Sequence, residues 1–529
     1  MPKDSPSAPA AEGWPRAGSA SAESGPPVTG APGPQAGTPA QFARLRALLA
    51  EAGYTVPAVR ERTRSVLFDD RSGVMPPSDE PTDAIDALIR LHVHGTTVRR
   101  SAIAGLLSAE LLTLLESLGL LRADPAEPGR VRAPFALYPV AHLLIASDSL
   151  GAVLADRPPP DVTYPALSSN TAEFLAALPT DPCERVLDLG AGTGVAALLQ
   201  ASTCARHAWA ADITERATRF AEYNARLNGI GNVTVVQGDL YEAVAGLTFD
   251  RIVTHPPYMP VPEGGIIFRD GGEDGEQITR RVIAGLPDHL RPGGRCYCRC
   301  LATDRKEAPV EERVREMLGP AGAGFDVAVI ATVTMPAGEF YGRLLAKGDM
   351  TAARYDGQMR TFAALGVENI VICTSAIERH VEPRTAITVR RQLAPRTDPD
   401  PAAIDWLLRM ERTVREPGFL DRLPAARPVA SPHAEIRMSY RALSGELRAV
   451  GCSVATRVPF AFSFDSSPGL ALLLGRCDGS RTVAVLRSEL NELGAVADGA
   501  QPQEFLQLTG NLIRGGVLVI DELPLPAAP

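Results

Sequence analysis

The stretch RVLDLGAGTG, residues 185 to 194, joins a short apolar run to a turn rich in glycine. The run favours a buried strand that delivers Asp188, and Gly190, Gly192 and Gly194 follow at alternate positions. Because glycine lacks a Cβ atom, the backbone can turn tightly beneath a ligand before a helix begins. The Gly-x-Gly-x-Gly spacing differs from the Gly-x-Gly-x-x-Gly of dinucleotide sites. The stretch therefore predicts a strand, a ligand-binding turn and a helix.

Strands and helices alternate beyond this turn. The runs HAWAAD, NVTVVQGD, FDRIVT and RCYCRC are short and mostly apolar, and enough residues for a helix separate each from the next. Two further strands are expected at FDVAVIATVTM and ENIVICTS, with a helical insertion near residues 351 to 365. This alternation indicates a parallel sheet with helices on both faces. The predicted fold is α/β, a doubly wound and mostly parallel sheet of seven strands.

Polar residues follow four consecutive predicted strands at their carboxyl ends. The glycine turn follows the first strand, Asp212 ends the second, Asp239 follows the third, and HPPY, residues 255 to 258, follows the fourth. Open parallel sheets bind ligands at this edge, and an acidic residue about 20 positions beyond the glycine turn is placed to hold ribose hydroxyls. Together the four positions predict a site for a ligand that contains a nucleoside.

The fourth strand stops at two prolines, which carry no backbone N–H for the sheet. His255 and Tyr258 flank them. His255 could simply end the strand with a hydrogen bond to backbone, and Tyr258 could pack against its own loop. Their place at the ligand-binding edge favours a role toward a substrate for both residues.

The run from Arg185 to Leu301 resembles the class I S-adenosylmethionine-dependent methyltransferases. Within them it is similar to the subgroup with an Asn/Asp-Pro-Pro-Tyr/Phe motif, which includes release-factor glutamine methyltransferases and amino-methylating nucleic-acid enzymes. GGEDGE, residues 271 to 276, resembles a stretch that follows the motif in the glutamine methyltransferases. The resemblance implies a Rossmann-like methyltransferase domain, S-adenosylmethionine as cofactor, and methyl transfer as the activity.

The resemblance also assigns the residues of the cofactor site. Asp188 and the turn Gly190, Ala191, Gly192 and Gly194 would hold the methionine part of the cofactor. Asp212, followed by Ile213, would hold the ribose, and Asp239 with Leu240 would meet the adenine. We expect no metal, since the eight cysteines lack the Cys-x-x-Cys pairs of metal sites and CYCRC places three sulfurs on one face of a strand, as in packing.

By the same resemblance, His255, Pro256, Pro257 and Tyr258 form the catalytic corner. In the family pattern the Asn or Asp and the first proline's carbonyl accept hydrogen bonds from the target's NH2 group, and the aromatic ring packs on a planar substrate. Here a histidine replaces that residue. A neutral imidazole can accept one hydrogen bond, and it can also take a proton near neutral pH. The histidine could therefore position a nitrogen acceptor or act as a base for a hydroxyl.

The leading hypothesis is N-methylation of a protein, peptide or small-molecule acceptor. Three alternatives stay open: methylation of a nucleic-acid base amine, O-methylation with His255 as base, and a regulatory protein that binds the cofactor without turnover. The net charge of −9, from 53 Lys and Arg against 62 Asp and Glu, disfavours nucleic acid as a partner.

The 529 residues predict two to four domains. We expect a disordered tail over residues 1–38, a helical, winged-helix-like domain over 39–135, the methyltransferase domain over 136–392, and an α+β domain over 393–529 that ends in a winged-helix-like unit. Asn170 with Glu173, and Asp274 with Gln277, resemble capping boxes for two helices. The sequence shows no apolar run that could span a membrane and no apolar core of a signal peptide, which predicts a cytoplasmic protein without membrane contact.

Overall fold

A computed structural model describes residues 36–63, 80–153, 158–260, 266–306, 308–348, 350–443, 445–495 and 501–526. The predicted disordered tail lies outside these residues, apart from its last three positions. No helix in the described ranges is both long and apolar enough to cross a membrane. Nor do the described ranges hold a group of three or more His, Cys, Asp or Glu side chains placed to bind a metal ion.

The amino-terminal part is helical with a small sheet. Its elements are α1 Pro39–Glu51, α2 Val56–Thr63, α3 Ala84–His92, β1 Val98–Arg99, α4 Arg100–Ala104, α5 Ala109–Ser117, β2 Arg122–Ala123 and β3 Arg130–Arg132. The strands lie in the order β1-β3-β2. Helix α1 begins at a capping box of Thr38 and Gln41, and its apolar stripe is buried. The winged-helix assignment stays a prediction.

A hairpin then leads to the central sheet. It consists of β4 Ala136–Val140 and β5 Leu143–Ser147, and the short helix α6 Leu150–Val153 and helix α7 Ser169–Ala176 follow. Asn224, which lies in the later helix α9 (Glu215–Asn228), fixes the hairpin to the glycine turn. Its side-chain nitrogen donates to the carbonyls of Ala146 and Thr193, each at 2.9 Å, and its oxygen accepts from the Ala146 N–H at 2.7 Å.

The central sheet has eight strands in the order β8-β7-β6-β9-β10-β12-β11-β13. The elements are β6 Cys183–Leu189, α8 Val195–Thr203, β7 Ala205–Asp212, α9, β8 Val233–Gln237, β9 Phe249–Thr254, α10 Gln277–Ala284, α11 Leu286–His289, β10 Leu290–Arg305, α12 Val310–Met317, β11 Phe325–Pro336, α13 Ala337–Ala346, α14 Ala352–Leu365, β12 Val367–Arg379 and β13 Thr388–Gln392. All neighbours are parallel except β12, which runs antiparallel to β10 and β11.

The α/β prediction is confirmed, each of the seven predicted runs forms a strand of the sheet, and α14 coincides with the predicted helical insertion. The count of seven is one too low, because β13 adds an edge strand beside β11. Its sequence TVRRQ buries only Val389 among its five side chains. An edge strand with one buried residue has almost no hydrophobic pattern, so the sequence gives no signal for it.

The carboxyl-terminal part packs on the same sheet. Its elements are α15 Pro401–Arg415, α16 Phe419–Arg422, β14 Val429–Ala430, β15 Glu435–Leu443, β16 Glu446–Thr456, β17 Phe462–Ser466, α17 Gly469–Leu474, α18 Val483–Glu492, α19 Pro502–Arg514 and β18 Leu518–Val519. One hydrophobic cluster contains Val253 and Tyr297 of the central sheet together with Ile404 and Leu407 of α15. The core is therefore continuous across residue 393, and the predicted division into domains stays a prediction.

The predicted capping box of Asp274 and Gln277 is wrong. The residue before α10 is Glu276, whose side chain makes no capping hydrogen bond. Asp274 instead accepts from the Glu276 N–H at 2.9 Å and pairs with Arg280 at 2.9 Å and Arg305 at 3.2 Å. Two arginines therefore bind this carboxylate, and the capping-box pattern did not predict either ion pair.

Candidate functional site

The glycine turn and the His-Pro-Pro-Tyr corner leave neighbouring strands side by side. Strand β9 pairs in parallel with β6, and Thr254 lies opposite Leu189. The Thr254 hydroxyl donates to the Leu189 carbonyl at 2.8 Å, so the last residues of the two strands are joined. The next residues in the chain are His255 and Gly190. The structure therefore places both predicted features at one edge of the sheet.

The glycine turn is open on the side away from the sheet. Gly190 and Gly192 have φ angles of +68° and +54°, and no heavy atom lies within 4 Å of a Cβ built on either. Gly194 has a φ of +77°, and its Cβ would stand 2.9 Å from the Ala221 Cβ of α9. The first two glycines therefore leave free space above the backbone, while the third allows close packing of the helix.

Backbone hydrogen bonds tie this turn to the end of β7. The N–H groups of Gly190 and Ala191 donate to the Ala211 carbonyl at 2.9 and 3.0 Å. The Gly192 N–H donates to the Asp212 carboxylate at 2.9 Å, and the Thr214 N–H donates to its other oxygen at 2.9 Å. Asp212 is thus held in place beside the turn, and its contact with the ribose of a cofactor stays a prediction.

A buried carboxylate, Asp188, and a partly buried one, Asp212, lie at this edge without an ion-pair partner in the described ranges. Burial raises the pKa of Asp188 to about 7, although a hydrogen bond from the Ala197 N–H at 3.0 Å acts to lower it. Burial also raises the pKa of Asp212, despite the backbone hydrogen bonds that it accepts. Desolvation without compensation disfavours the ionised forms. A cationic ligand would remove that penalty, so the edge is suited to a positive charge.

The remaining predicted cofactor residues lie farther along the same edge. Ile213 is 50% exposed, a large exposure for an isoleucine. Asp239 pairs with Arg281 of α10 at 2.9 Å. Leu240 has a φ of +50° and opens the 3-10 helix Leu240–Val244. The ion pair occupies one oxygen of Asp239. The contact of Asp239 and Leu240 with adenine stays a prediction.

The corner places an imidazole between two aromatic rings. The His255 ring lies 5.6 Å from the Tyr258 ring, with 19° between their planes, and 5.5 Å from the Phe174 ring. Pro256 is buried and Pro257 is half-buried, and the strand ends at Thr254 before them. Burial, together with the positive charge of Arg299, lowers the pKa of His255 to about 3. The imidazole is therefore neutral at physiological pH.

Helix α7 covers this corner, a contribution that the sequence reasoning missed. Asn170 donates from its side-chain nitrogen to the Tyr258 hydroxyl at 3.1 Å. Glu173 pairs with the buried Arg299 of β10, and Phe174 contacts the His255 ring. These three helix residues have the spacing i, i+3 and i+4, which places them on one face. The spacing of these three residues was the feature of the sequence that could have indicated that this face of α7 contacts the site.

The predicted capping box of Asn170 and Glu173 is therefore wrong. Ser168 caps α7 instead, because its hydroxyl accepts from the Thr171 N–H at 3.1 Å. Asn170 lies inside the helix, where its side chain is free to reach Tyr258. The pattern matched a helix start two residues too late.

Glycines of the GGEDGE stretch pack directly against the backbone of the corner at Tyr258. A Cβ at Gly271 would stand 2.8 Å from the Tyr258 Cα and 2.5 Å from the Gly275 carbonyl oxygen. A Cβ at Gly275, whose φ is +77°, would stand 2.6 Å from the Tyr258 carbonyl oxygen. Real Cβ atoms do not approach backbone so closely. The stretch therefore fixes the position of Tyr258 through backbone contact.

The helical insertion between β11 and β12 forms a wall beside the corner. Tyr341 of α13 and Phe362 of α14 are buried in a small cluster against which Tyr258 packs. The partly buried side chains of this cluster include Phe340, Leu344, Tyr355 and Met359. An aromatic and flexible surface of this kind is adaptable to an apolar or planar ligand.

Residues 165–319 match the methyltransferase small domain family. The chain is 31% identical over 231 residues to the release factor glutamine methyltransferase of Moorella thermoacetica, an alignment that covers 38% of this chain and 81% of that protein. It is 36% identical over 155 residues to the enzyme of the same name from Escherichia coli, covering 28% of this chain and 54% of that one.

A third relative is the release factor glutamine methyltransferase of Xylella fastidiosa, with 39% identity over 123 residues, 21% of this chain and 44% of that protein. The chain thus spans about half the length of several curated relatives that it matches. A solved methyltransferase structure from Pyrococcus furiosus aligns over 43% of this chain and 91% of its own, with 19% identity and a TM-score of 0.26.

Proposed function

This chain belongs to the class I S-adenosylmethionine-dependent methyltransferases, in the subgroup of the release factor glutamine methyltransferases, and from that membership we propose that it transfers a methyl group from S-adenosylmethionine to a nitrogen atom of a protein. The single observation that carries the proposal is the junction of β6 and β9. There the glycine turn and the His255 corner leave adjacent strands at one edge.

The residues at this edge fit the cofactor. Gly190 and Gly192 leave the space that a ligand would fill, and Ile213 offers an exposed apolar side chain beside Asp212. The carboxylates of the buried Asp188 and the partly buried Asp212 lack cationic partners in the described residues, and the cofactor is a cation. When bound, S-adenosylmethionine supplies an activated methyl group on a sulfonium sulfur.

The corner then positions the acceptor nitrogen. His255 is neutral and can accept one hydrogen bond from an NH2 group, and the Pro256 carbonyl can accept a second. Tyr258, fixed by Asn170 and by the glycines below it, would pack on a planar amide. Such an arrangement contributes through orientation, which is the main requirement when the methyl donor is already activated.

The low pKa of His255 favours this role over that of a base. A group with a pKa of about 3 is a weak proton acceptor for a hydroxyl, whereas general bases work best with a pKa near the operating pH. The neutral imidazole therefore supports nitrogen as the acceptor atom and disfavours O-methylation. Hydrogen-bond acceptance requires no change of protonation.

The names of the relatives specify a protein acceptor. They describe glutamine methyltransferases that act on release factors and, in Bradyrhizobium diazoefficiens, on ribosomal protein uL3. We infer that the group this chain methylates is likewise the side-chain amide of a glutamine in another protein. The aromatic wall of α13 and α14 gives the adjoining surface for the acceptor protein. Acceptors of this kind belong to the translation apparatus, so a cytoplasmic location is part of the proposal.

The first test is calorimetric titration of the full chain with S-adenosylmethionine. We expect binding by the wild type and a much weaker affinity for Asp212→Ala. Asp250→Asn is the matched control, because Asp250 lies at the start of β9 and pairs with Arg291 at 2.9 Å, away from the corner. If the wild type shows no binding, the proposal is wrong.

The second test measures transfer of a labelled methyl group. Purified release factors and ribosomal protein uL3 are incubated with the enzyme and methyl-labelled cofactor, and fractionated cell extract follows as a broader acceptor source. Label in protein that depends on Tyr258 and His255 supports the proposal and excludes a purely regulatory role. Label recovered in RNA or DNA alone would contradict a protein acceptor.

A further inference from the structure

Cys183 and Cys204 differ from the other cysteines of the chain. Of its eight cysteines, these two are partly exposed, and the other six are buried. They lie beside each other at the amino-terminal edge of the sheet, opposite the candidate site, because Cys183 begins β6 and Cys204 immediately precedes β7. The exposed thiols of this protein are therefore a neighbouring pair.

The backbone holds the two cysteines within reach of a disulfide. The Cys183 N–H donates to the Cys204 carbonyl at 3.1 Å. With standard bond lengths, this hydrogen bond keeps the two Cα atoms within about 7 Å of each other, the distance beyond which a disulfide requires backbone movement. A shallow cleft, also lined by Glu184, Thr203 and Arg206, opens both residues to solvent.

A buried arginine supplies the charge that a thiolate needs. The Arg251 guanidinium lies 3.4 Å from the Cys204 sulfur. Its other partners are the neutral oxygens of Pro179, Asp181 and Gln200, and it forms no ion pair with a carboxylate in the described ranges. A buried cation without an anionic partner is costly. A thiolate at Cys204 would provide that partner.

The Cys204 thiol is also more acidic than the Cys183 thiol. The neighbouring Cys183 thiol, together with Thr203 and Arg251 and against the effect of burial, lowers the pKa of Cys204 to about 6. The neighbouring Cys204 thiol, together with burial, raises the pKa of Cys183. One thiol is thus ready to react as the thiolate, and the other retains its proton, the usual division between an attacking and a resolving cysteine.

We propose that Cys183 and Cys204 are a redox-active dithiol that a hydroperoxide converts into an intramolecular disulfide. The Cys204 thiolate attacks a peroxide oxygen, so an S–O bond forms, the O–O bond breaks, and the departing oxygen takes a proton from solvent. The Cys183 sulfur then attacks the Cys204 sulfur. The S–S bond forms as hydroxide leaves with the Cys183 proton as water. Two thiols lose two electrons in total, and the hydroperoxide gains them.

Tryptic mapping of the oxidised protein tests the proposal. The full chain is treated with one equivalent of hydrogen peroxide, alkylated with N-ethylmaleimide, and digested without reductant. Cleavage after Arg132, Arg185 and Arg206 separates the cysteines into the peptides 133–185 and 186–206, which hold one cysteine each. We expect these peptides joined, at their summed mass less two hydrogens, and separated again by dithiothreitol.

Substitutions distinguish the roles of the two thiols. We expect Cys183→Ser to stop at a sulfenic acid on Cys204, which dimedone labels, and Cys204→Ser to give neither label nor linked peptide. Cys477→Ser is the control, since Cys477 is buried, and it should leave the linkage unchanged. Cys300 of β10 and Cys373 of β12 lie directly opposite each other in the sheet. The proposal is overturned if the two peptides stay unlinked after peroxide, or if Cys300 and Cys373 are joined in their place. Neither outcome depends on methyl transfer.

Discussion

We expect His255 to remain neutral from pH 5 to 9 and to act only as a hydrogen-bond acceptor. We test this with two substitutions of His255 and a pH titration of its ring. His255→Asn keeps an acceptor atom on a short side chain, whereas His255→Ala removes it. The second variant should lose more of the methyl transfer than the first, and both variants should still bind S-adenosylmethionine.

The magnitude follows from the surroundings of the ring. Burial between Phe174 and Tyr258 and the charge of Arg299 move the pKa of His255 from 6.5 to about 3, which corresponds to about 5 kcal/mol against the imidazolium. Because the unfolded chain takes up this proton at about pH 6.5, the stability of the fold should decrease as the pH falls from 6.5 toward 3.

Loss of the acceptor atom has a separate cost. An unsatisfied polar group or a lost hydrogen bond costs about 1–3 kcal/mol, which is roughly a 5- to 150-fold loss in kcat/KM. His255→Ala should therefore fall in this range. His255→Asn should stay within about tenfold of the wild type, because its oxygen can accept the same hydrogen bond.

Two measurements check this prediction. Nitrogen-15 NMR of histidine-labelled protein follows the ring nitrogens, and the signal that disappears in His255→Asn is assigned to His255. The pH profile of kcat/KM with labelled cofactor is measured for both proteins. A titration midpoint near 6.5 for this signal would refute the reasoning, as would an acid limb of the profile that vanishes in His255→Asn.

Three further changes test the cofactor site and its support. Asp212→Asn should raise the dissociation constant for S-adenosylmethionine by about 10- to 100-fold in calorimetry, because a charged partner of the ligand is lost. The ionised form of Asp188, whose pKa is about 7, favours a cation, so the affinity should fall about tenfold from pH 7 to pH 5.5 as it takes up a proton. Gly271→Ala should reduce methyl transfer at least about tenfold and leave cofactor binding intact, because its Cβ would collide with the Tyr258 backbone.

Each of these changes has a control or an outcome that contradicts it. Gly231→Ala places a Cβ where no heavy atom lies within 4 Å, and it should leave transfer unchanged. An unaltered rate in Gly271→Ala would show that Tyr258 does not require this support. A dissociation constant that is constant between pH 5.5 and 7 would remove Asp188 from the cofactor site. Equal affinities of Asp212→Asn and the wild type would do the same for Asp212.

The sequence predicted the central sheet well because its signals are local. Apolar runs of strand length, separated by helix-length segments, repeat from β6 to β12, and glycine follows β6 and β8 while two prolines follow β9. The eighth strand and the sheet of β15 to β17 were not predicted, since few of their side chains are buried and the sequence there shows little hydrophobic contrast. The capping box of Asn170 failed because Ser168 caps the helix two residues earlier, and that of Asp274 failed because its carboxylate binds Arg280, Arg305 and the Glu276 N–H instead.

The sequence by itself determined the α/β alternation, the glycine turn and the residues at the carboxyl ends of four strands. These depend on backbone preferences and on side-chain period, which act within a few residues. Only the tertiary structure decided that β9 lies beside β6, that α7 covers His255, and that Cys183 meets Cys204 next to Arg251. Such contacts depend on strand order and register. Those are fixed by packing between segments far apart in the chain, and no local pattern encodes them.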